Sequence, residues 1–164
     1  MFIPFEEIPA DSRIWIYQAD RKLNDEEVEK VQQKTKSFLN DWAAHGSKLA
    51  CSSKIFYDQF LVLAVYEGFH QPSGCSIDNS VRFIQLLENW LNLSFMDRSK
   101  VAFLIDGNLH LETLNGVKKS VEEGHINQDT LVFNNLIDRK EGLENTWLIK
   151  AKDSWINRYF KVKI

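Results

Sequence analysis

"LACSSKIFYDQFLVLAVYEG", residues 49–68, decides how the first half of the chain folds. It reads as two strands, about 49 to 57 and 60 to 67, turning near Asp58. A parallel crossover needs a dozen residues or more, and the connection at Asp58 and Gln59 has far too few. The two strands must therefore pair antiparallel. The second is almost continuously apolar, as a strand covered on both faces should be, so it is expected at the centre of its sheet.

Upstream, "RIWIYQA", residues 13–19, alternates Ile14 and Ile16 with Trp15 and Tyr17 and reads as a strand. "NDEEVEKVQQKTKSFLNDW", residues 24–42, then gives the clearest helix in the chain. Asn24 stands as N-cap with Glu27 three residues on, acids fill the first turn, and Val28, Val31, Thr35, Phe38, Leu39 and Trp42 fall at helical spacing. Downstream, "DNSVRFIQLLENWLN" predicts a helix from about Asp78 to Asn92. Val81, Ile84, Leu87 and Leu91 form its main stripe, with Phe83, Leu86 and Trp90 beside it. So wide an apolar face calls for more than one partner. "KVAFLIDGNLHLETL", residues 100–114, is a hairpin pattern turning through Asp106, Gly107 and Asn108.

The order strand, helix, strand, strand, helix, strand predicts an α+β fold of ferredoxin-like βαββαβ type. Right-handed crossovers place both helices on one face of an antiparallel sheet. Residues 1–114 are expected to form this core. Residues 115–164 form a small C-terminal α/β extension packed on it, with a short helix in "NGVKKSVEEG" closed by Gly124, strand-like "TLVFNNLI", and the tail "NTWLIKAKDSWINRYFKVKI".

Composition limits the function classes. Twenty lysines and arginines against twenty-three aspartates and glutamates leave a net charge of −3, so there is no general field to attract nucleic acid or an anionic membrane. No run approaches eighteen apolar residues, and the start "MFIPFEEIPADSR" has no leader pattern, so membrane insertion and export are not expected. Two cysteines, Cys51 and Cys75, are too few for a disulfide framework, which fits a reducing cytoplasm. His45, His70, His110 and His125 are scattered without ligand spacing. Neither a metal nor a cofactor is expected.

"GFHQPSGCSI", residues 68–77, lies between the apolar strand and the second helix, where a phosphate-binding loop would stand. Such a loop needs backbone N–H groups around the phosphates, a lysine for the outer ones and a hydroxyl for Mg²⁺. Here Gly68 and Gly74 enclose five residues instead of four, and Cys75 stands where the lysine should be, followed by Ser76. "VAFLID", ending in Asp106, imitates a Walker B strand, but the cation is missing. His70 is the loop's own candidate, and its ordinary pKa of about 6.5 leaves it mostly neutral. The simpler expectation is a connection with Gly74 in a left-handed turn and Ser76 or Asp78 capping the helix. Cys75 near a helix N-terminus could also act as an activated thiol. The candidate ligand-binding set is thus His70, Ser73, Gly74, Cys75, Ser76, Asp78 and Arg82, none of them assigned to catalysis.

Five tryptophans exceed what one small core readily hides. Trp15, Trp147 and Trp155 lie outside the helix seams, and exposed aromatics such as Trp155, Tyr159 and Phe160 are candidates for a homo-oligomer or protein contact.

Nearly the whole chain resembles a short bacterial family commonly labelled "ABC transporter ATPase", on the phrases "FIPFEEIPADSRIWIYQADRKL", "SGCSIDNSVRFIQ", "DTLVFNNLI" and "SWINRYF". The label implies ATP hydrolysis coupled to transport. This chain departs from that pattern in having no lysine-bearing phosphate loop and no L-S-G-G-Q signature. The expectation from the residues themselves is a non-catalytic binding or interaction module. The alternatives are a thiol-dependent or small-anion-binding enzyme at Cys75, and the labelled ATPase.

Overall fold

The computed structural model describes residues 1–160 and divides the chain into two compact units, Met1–Met96 with Asp138–Glu141, and Asp97–Ile137 with Gly142–Ile164. The fold is α+β.

The first unit holds β1 (Arg13–Gln18), α1 (Asp25–Asp41), β2 (Ala43–Ala44), β3 (Ser47–Lys48), β4 (Ala50–Phe56), β5 (Phe60–Tyr66) and α2 (Gly74–Leu91). Its main sheet has the order β1-β5-β4, with β5 antiparallel to both neighbours. The all-apolar strand is central, as its composition requires, and every residue from Phe60 to Val65 is buried. Tyr57 and Asp58 take positive φ and let the chain reverse within the loop before Phe60. Leu61, Leu63 and Val65 alternate onto the face that receives Val31 and Leu39 of α1 and Ile84 and Leu87 of α2.

The start of α1 has a clear cause. Asn24 accepts from the Glu27 N–H at 2.8 Å while the Glu27 carboxylate accepts from the Asn24 N–H at 3.0 Å, the reciprocal box the sequence predicts. Arg21 then grips the Glu27 carboxylate with both terminal nitrogens at 2.9 and 2.7 Å and donates to the Leu91 carbonyl at 2.8 Å, tying the start of α1 to the end of α2.

The second unit holds β6 (Lys100–Ile105), β7 (Asn108–Thr113), α3 (Leu114–Glu122), β8 (Leu131–Phe133), α4 (Gly142–Asn145) and β9 (Leu148–Lys150), followed by 3₁₀ turns at Ala151–Asp153 and Trp155–Phe160. Its antiparallel sheet has the order β7-β6-β8-β9. Asp106 and Gly107, both at positive φ, make the tight turn expected between β6 and β7. Phe103 and Val132 from the sheet, Val117 from α3, and Ile126, Ala151 and Ile156 form the core.

The ferredoxin-like order is not adopted. The strand expected to close the first sheet, Lys100–Ile105, pairs instead with β7 and β8, and Arg139 forms an antiparallel bridge with Arg13 at the outer edge of β1. The hairpin assigned from sequence to a 1–114 core is thus hydrogen-bonded into a sheet with β8 and β9. A strand can satisfy its edges with its nearest hairpin partner for little loop-closure entropy, and β6 does so. The strand expected in "TLVFNNLI" is confined to Leu131–Phe133, because Asn134 starts a turn in which its side chain accepts from the Leu136 N–H at 3.2 Å.

Candidate functional site

The loop before α2 is organised around its own cap. α2 begins at Gly74, a turn earlier than the sequence predicts, because Ser73 is the N-cap: its Oγ accepts from the Ser76 N–H at 3.1 Å. Ser76, expected as a cap itself, is buried and turns its hydroxyl back to the Ser73 carbonyl at 2.8 Å. Gly74 is an ordinary helical residue and not a left-handed turn; the positive-φ glycines are Gly46, Gly107 and Gly124. Gly68 has a packing reason to be glycine. The Tyr66 ring lies where its side chain would be, and Phe69 meets that ring edge-on at 5.1 Å.

The seven candidate residues do not converge. Ser73 and Ser76 are joined in the cap, while His70, Gly74, Cys75 and Asp78 are exposed, and neither His70 nor Cys75 has a side-chain hydrogen bond among the described residues. Arg82 lies two turns into α2 and donates to Asn79 Oδ1 at 3.4 Å. The first turn of α2 thus carries an exposed thiol beside a satisfied cap, with no cation of its own.

Arg82 belongs to a different feature. An open groove of about 510 Å³ runs along the first unit, lined by Ser37, Phe38, Asp41, Trp42 and Ala43 on one side and Asn79, Arg82, Phe83 and Leu86 on the other. Its floor is aromatic. Phe38 and Phe83 stack face to face at 4.5 Å, Trp42 tilts against Phe38 at 5.7 Å, and Trp15 meets Trp42 edge-on at 6.1 Å. The Trp42 Nε1–H donates to the Ser76 carbonyl at 2.7 Å in the interior, fixing the ring and joining the end of α1 to the first turn of α2. Beyond the groove, Lys30 and Lys34 of α1 hold their ammonium groups 5.7 and 5.1 Å from the centre of the Trp90 ring of α2. Leu86 is 67% exposed and Trp90 44%.

Sequence reading places Phe83, Leu86 and Trp90 on a helix face too wide for one partner, and Phe38 and Trp42 on the stripe of α1. What it misses is that the two faces meet along one seam, since nothing local to either helix fixes their relative rotation. The other aromatics are mostly absorbed. Trp147 is buried against Phe133 and donates to Asn135 Oδ1 at 2.9 Å, and Trp15 carries Arg13 over its ring at 4.7 Å. Tyr159 and Phe160 pack on the core of the second unit, which leaves Trp155 as the exposed one of the three tail aromatics.

Elsewhere in the first unit, Cys51 is buried, and burial pushes its thiol up to about 11. No helix of the described residues is long and apolar enough to cross a membrane. A scan against protein-family models finds no match, and searches of curated proteins and of solved structures find none either.

Proposed function

We propose that the chain is a cytoplasmic, non-catalytic interaction module, and that the aromatic seam along α1 and α2 is the surface it presents. The observation that carries this reading is the exposure of Leu86 and Trp90, continuous with the stacked Phe38–Phe83 pair and rimmed by Lys30, Lys34, Asp41 and Arg82. An exposed apolar strip with a charged rim is how protein contact surfaces are commonly built. A thermal-shift screen with Mg²⁺-nucleotides, inorganic phosphate and divalent cations tests it. A ligand held at a hundred times its dissociation constant adds about 2.7 kcal/mol of stability, and the reading expects a flat response. Stabilisation by a nucleotide would replace it with the ATPase reading that the family resemblance implies.

Thiol or small-anion chemistry at Cys75 is the second reading. It is favoured by one observation, the exposed sulfur in the first turn of an 18-residue helix. It requires iodoacetamide to label Cys75 faster in the folded protein than in the unfolded chain, and equal rates would remove it.

A further inference from the structure

We infer that the seam is occupied by a second copy of this chain, packed antiparallel across a two-fold axis at Leu86. The inference rests on the interaction reading above and names its partner. Its basis is that the two ends of the seam complement each other. At one end stand Trp90, Lys30 and Lys34; at the other stand Asp41, Phe83 and Arg82. A two-fold axis crossing α2 at Leu86 sets Leu86 on the partner's Leu86 and brings each end against the opposite end of the other copy. Lys34, which has no carboxylate partner among the described residues, then faces the partner's Asp41, with Lys30 beside it already paired to Glu26 at 2.9 Å, and the Trp90 indole faces the partner's Phe83 and Arg82, an apolar and cation–π match. A parallel arrangement would instead set the lysines against their own copies. An acidic peptide in the groove would satisfy the lysines but leave Asp41 facing a like charge.

The size is consistent with a reversible dimer. α2 has 18 residues and is therefore about 27 Å long, and two helices side by side present a strip of roughly 500 Å² per copy. The total of about 1,000 Å² lies at the lower edge of specific interfaces, so association should be weak and dependent on concentration. Leu86 at the axis is mostly exposed in the single chain, so a substitution there removes few of the fold's own contacts.

Light scattering from micromolar to millimolar protein should show the mass rise from one chain to two, while Leu86→Glu, checked for folding by circular dichroism, should stay at one. In a Cys75→Ser background, Leu86→Cys should form an interchain disulfide on mild oxidation, and Gln85→Cys, on the same helix but off the seam, should not. Lys34→Asp and Asp41→Lys should each weaken the dimer about tenfold, and the double swap should restore it. A single-chain mass at millimolar concentration, a Leu86→Glu dimer, equal cross-linking at 85 and 86, or charge swaps without effect would each overturn the inference. The interaction reading is judged separately by the nucleotide screen, so a monomer with a flat screen removes only the dimer, and a nucleotide response removes the interaction reading whatever the mass.

Discussion

Cys51 and Cys75 are chemically alike in sequence and opposite in place. Cys51 Sγ lies 3.2 Å from the Leu39 carbonyl, under α1, and its raised pKa of about 11 keeps the thiol protonated at neutral pH; Cys75 is exposed. A disulfide reagent should therefore titrate one thiol per folded chain and two after unfolding, and two in the folded state would contradict the placement of Cys51. Glu27 makes the second residue-scale case. The Arg21 guanidinium, with help from the Asn24 N–H, holds its carboxyl down from 4.5 to about 2. A carboxyl lowered in the folded state contributes stability that is complete above its unfolded pKa and is lost as pH falls through the folded value. Between about pH 4.5 and 2 the wild type should therefore lose stability more steeply than Glu27→Gln, as denaturant midpoints would show. Parallel pH profiles would mean the Arg21 pair contributes nothing in solution. The cap at Asn24 and Glu27 was legible in the sequence, but Arg21 was not, because its use depends on Leu91 arriving seventy residues later.

At the scale of elements, α1 follows its sequence closely because cap, acidic first turn and apolar period agree. α2 is displaced at its start. The sequence points to Ser76 or Asp78 as the cap, but Ser73 takes it, because Ser76 is buried and the Trp42 indole donates to its carbonyl. That is a tertiary decision, invisible to spacing. Ser73→Ala should destabilise the protein by about 1 kcal/mol, measured by denaturant unfolding, whereas Asp78→Ala should change little because its carboxylate is exposed and caps nothing. The reverse ranking would return the helix start to the position read from sequence. The two glycines of the loop have structural reasons at this scale too: Gly68 accommodates a tyrosine ring, and Gly74 opens α2.

For the whole molecule, strands and their antiparallel pairing could be read from alternation and turn chemistry, and the β4–β5 pairing within the order β1-β5-β4 follows from the short turn at Asp58. The destination of Lys100–Ile105 could not be read, since its pattern suits the edge of the first sheet as well as the interior position it takes in the second, and only the partners β7 and β8 decide it. The seam was half legible. The excess apolar width of α2 announced an unmet surface, but its aromatic floor is assembled from two helices and Trp15 of the sheet.

The central claim, that this surface is where the chain meets a second copy of itself and not a nucleotide site, is tested most directly by amide spectra recorded at rising protein concentration and then with Mg²⁺-ATP. The account predicts concentration-dependent shifts confined to α1 from Lys30 to Asp41 and to α2 from Asn79 to Trp90, with no change on adding nucleotide. Spectra indifferent to concentration, with shifts at Ser73 to Ser76 on adding Mg²⁺-ATP, would contradict it.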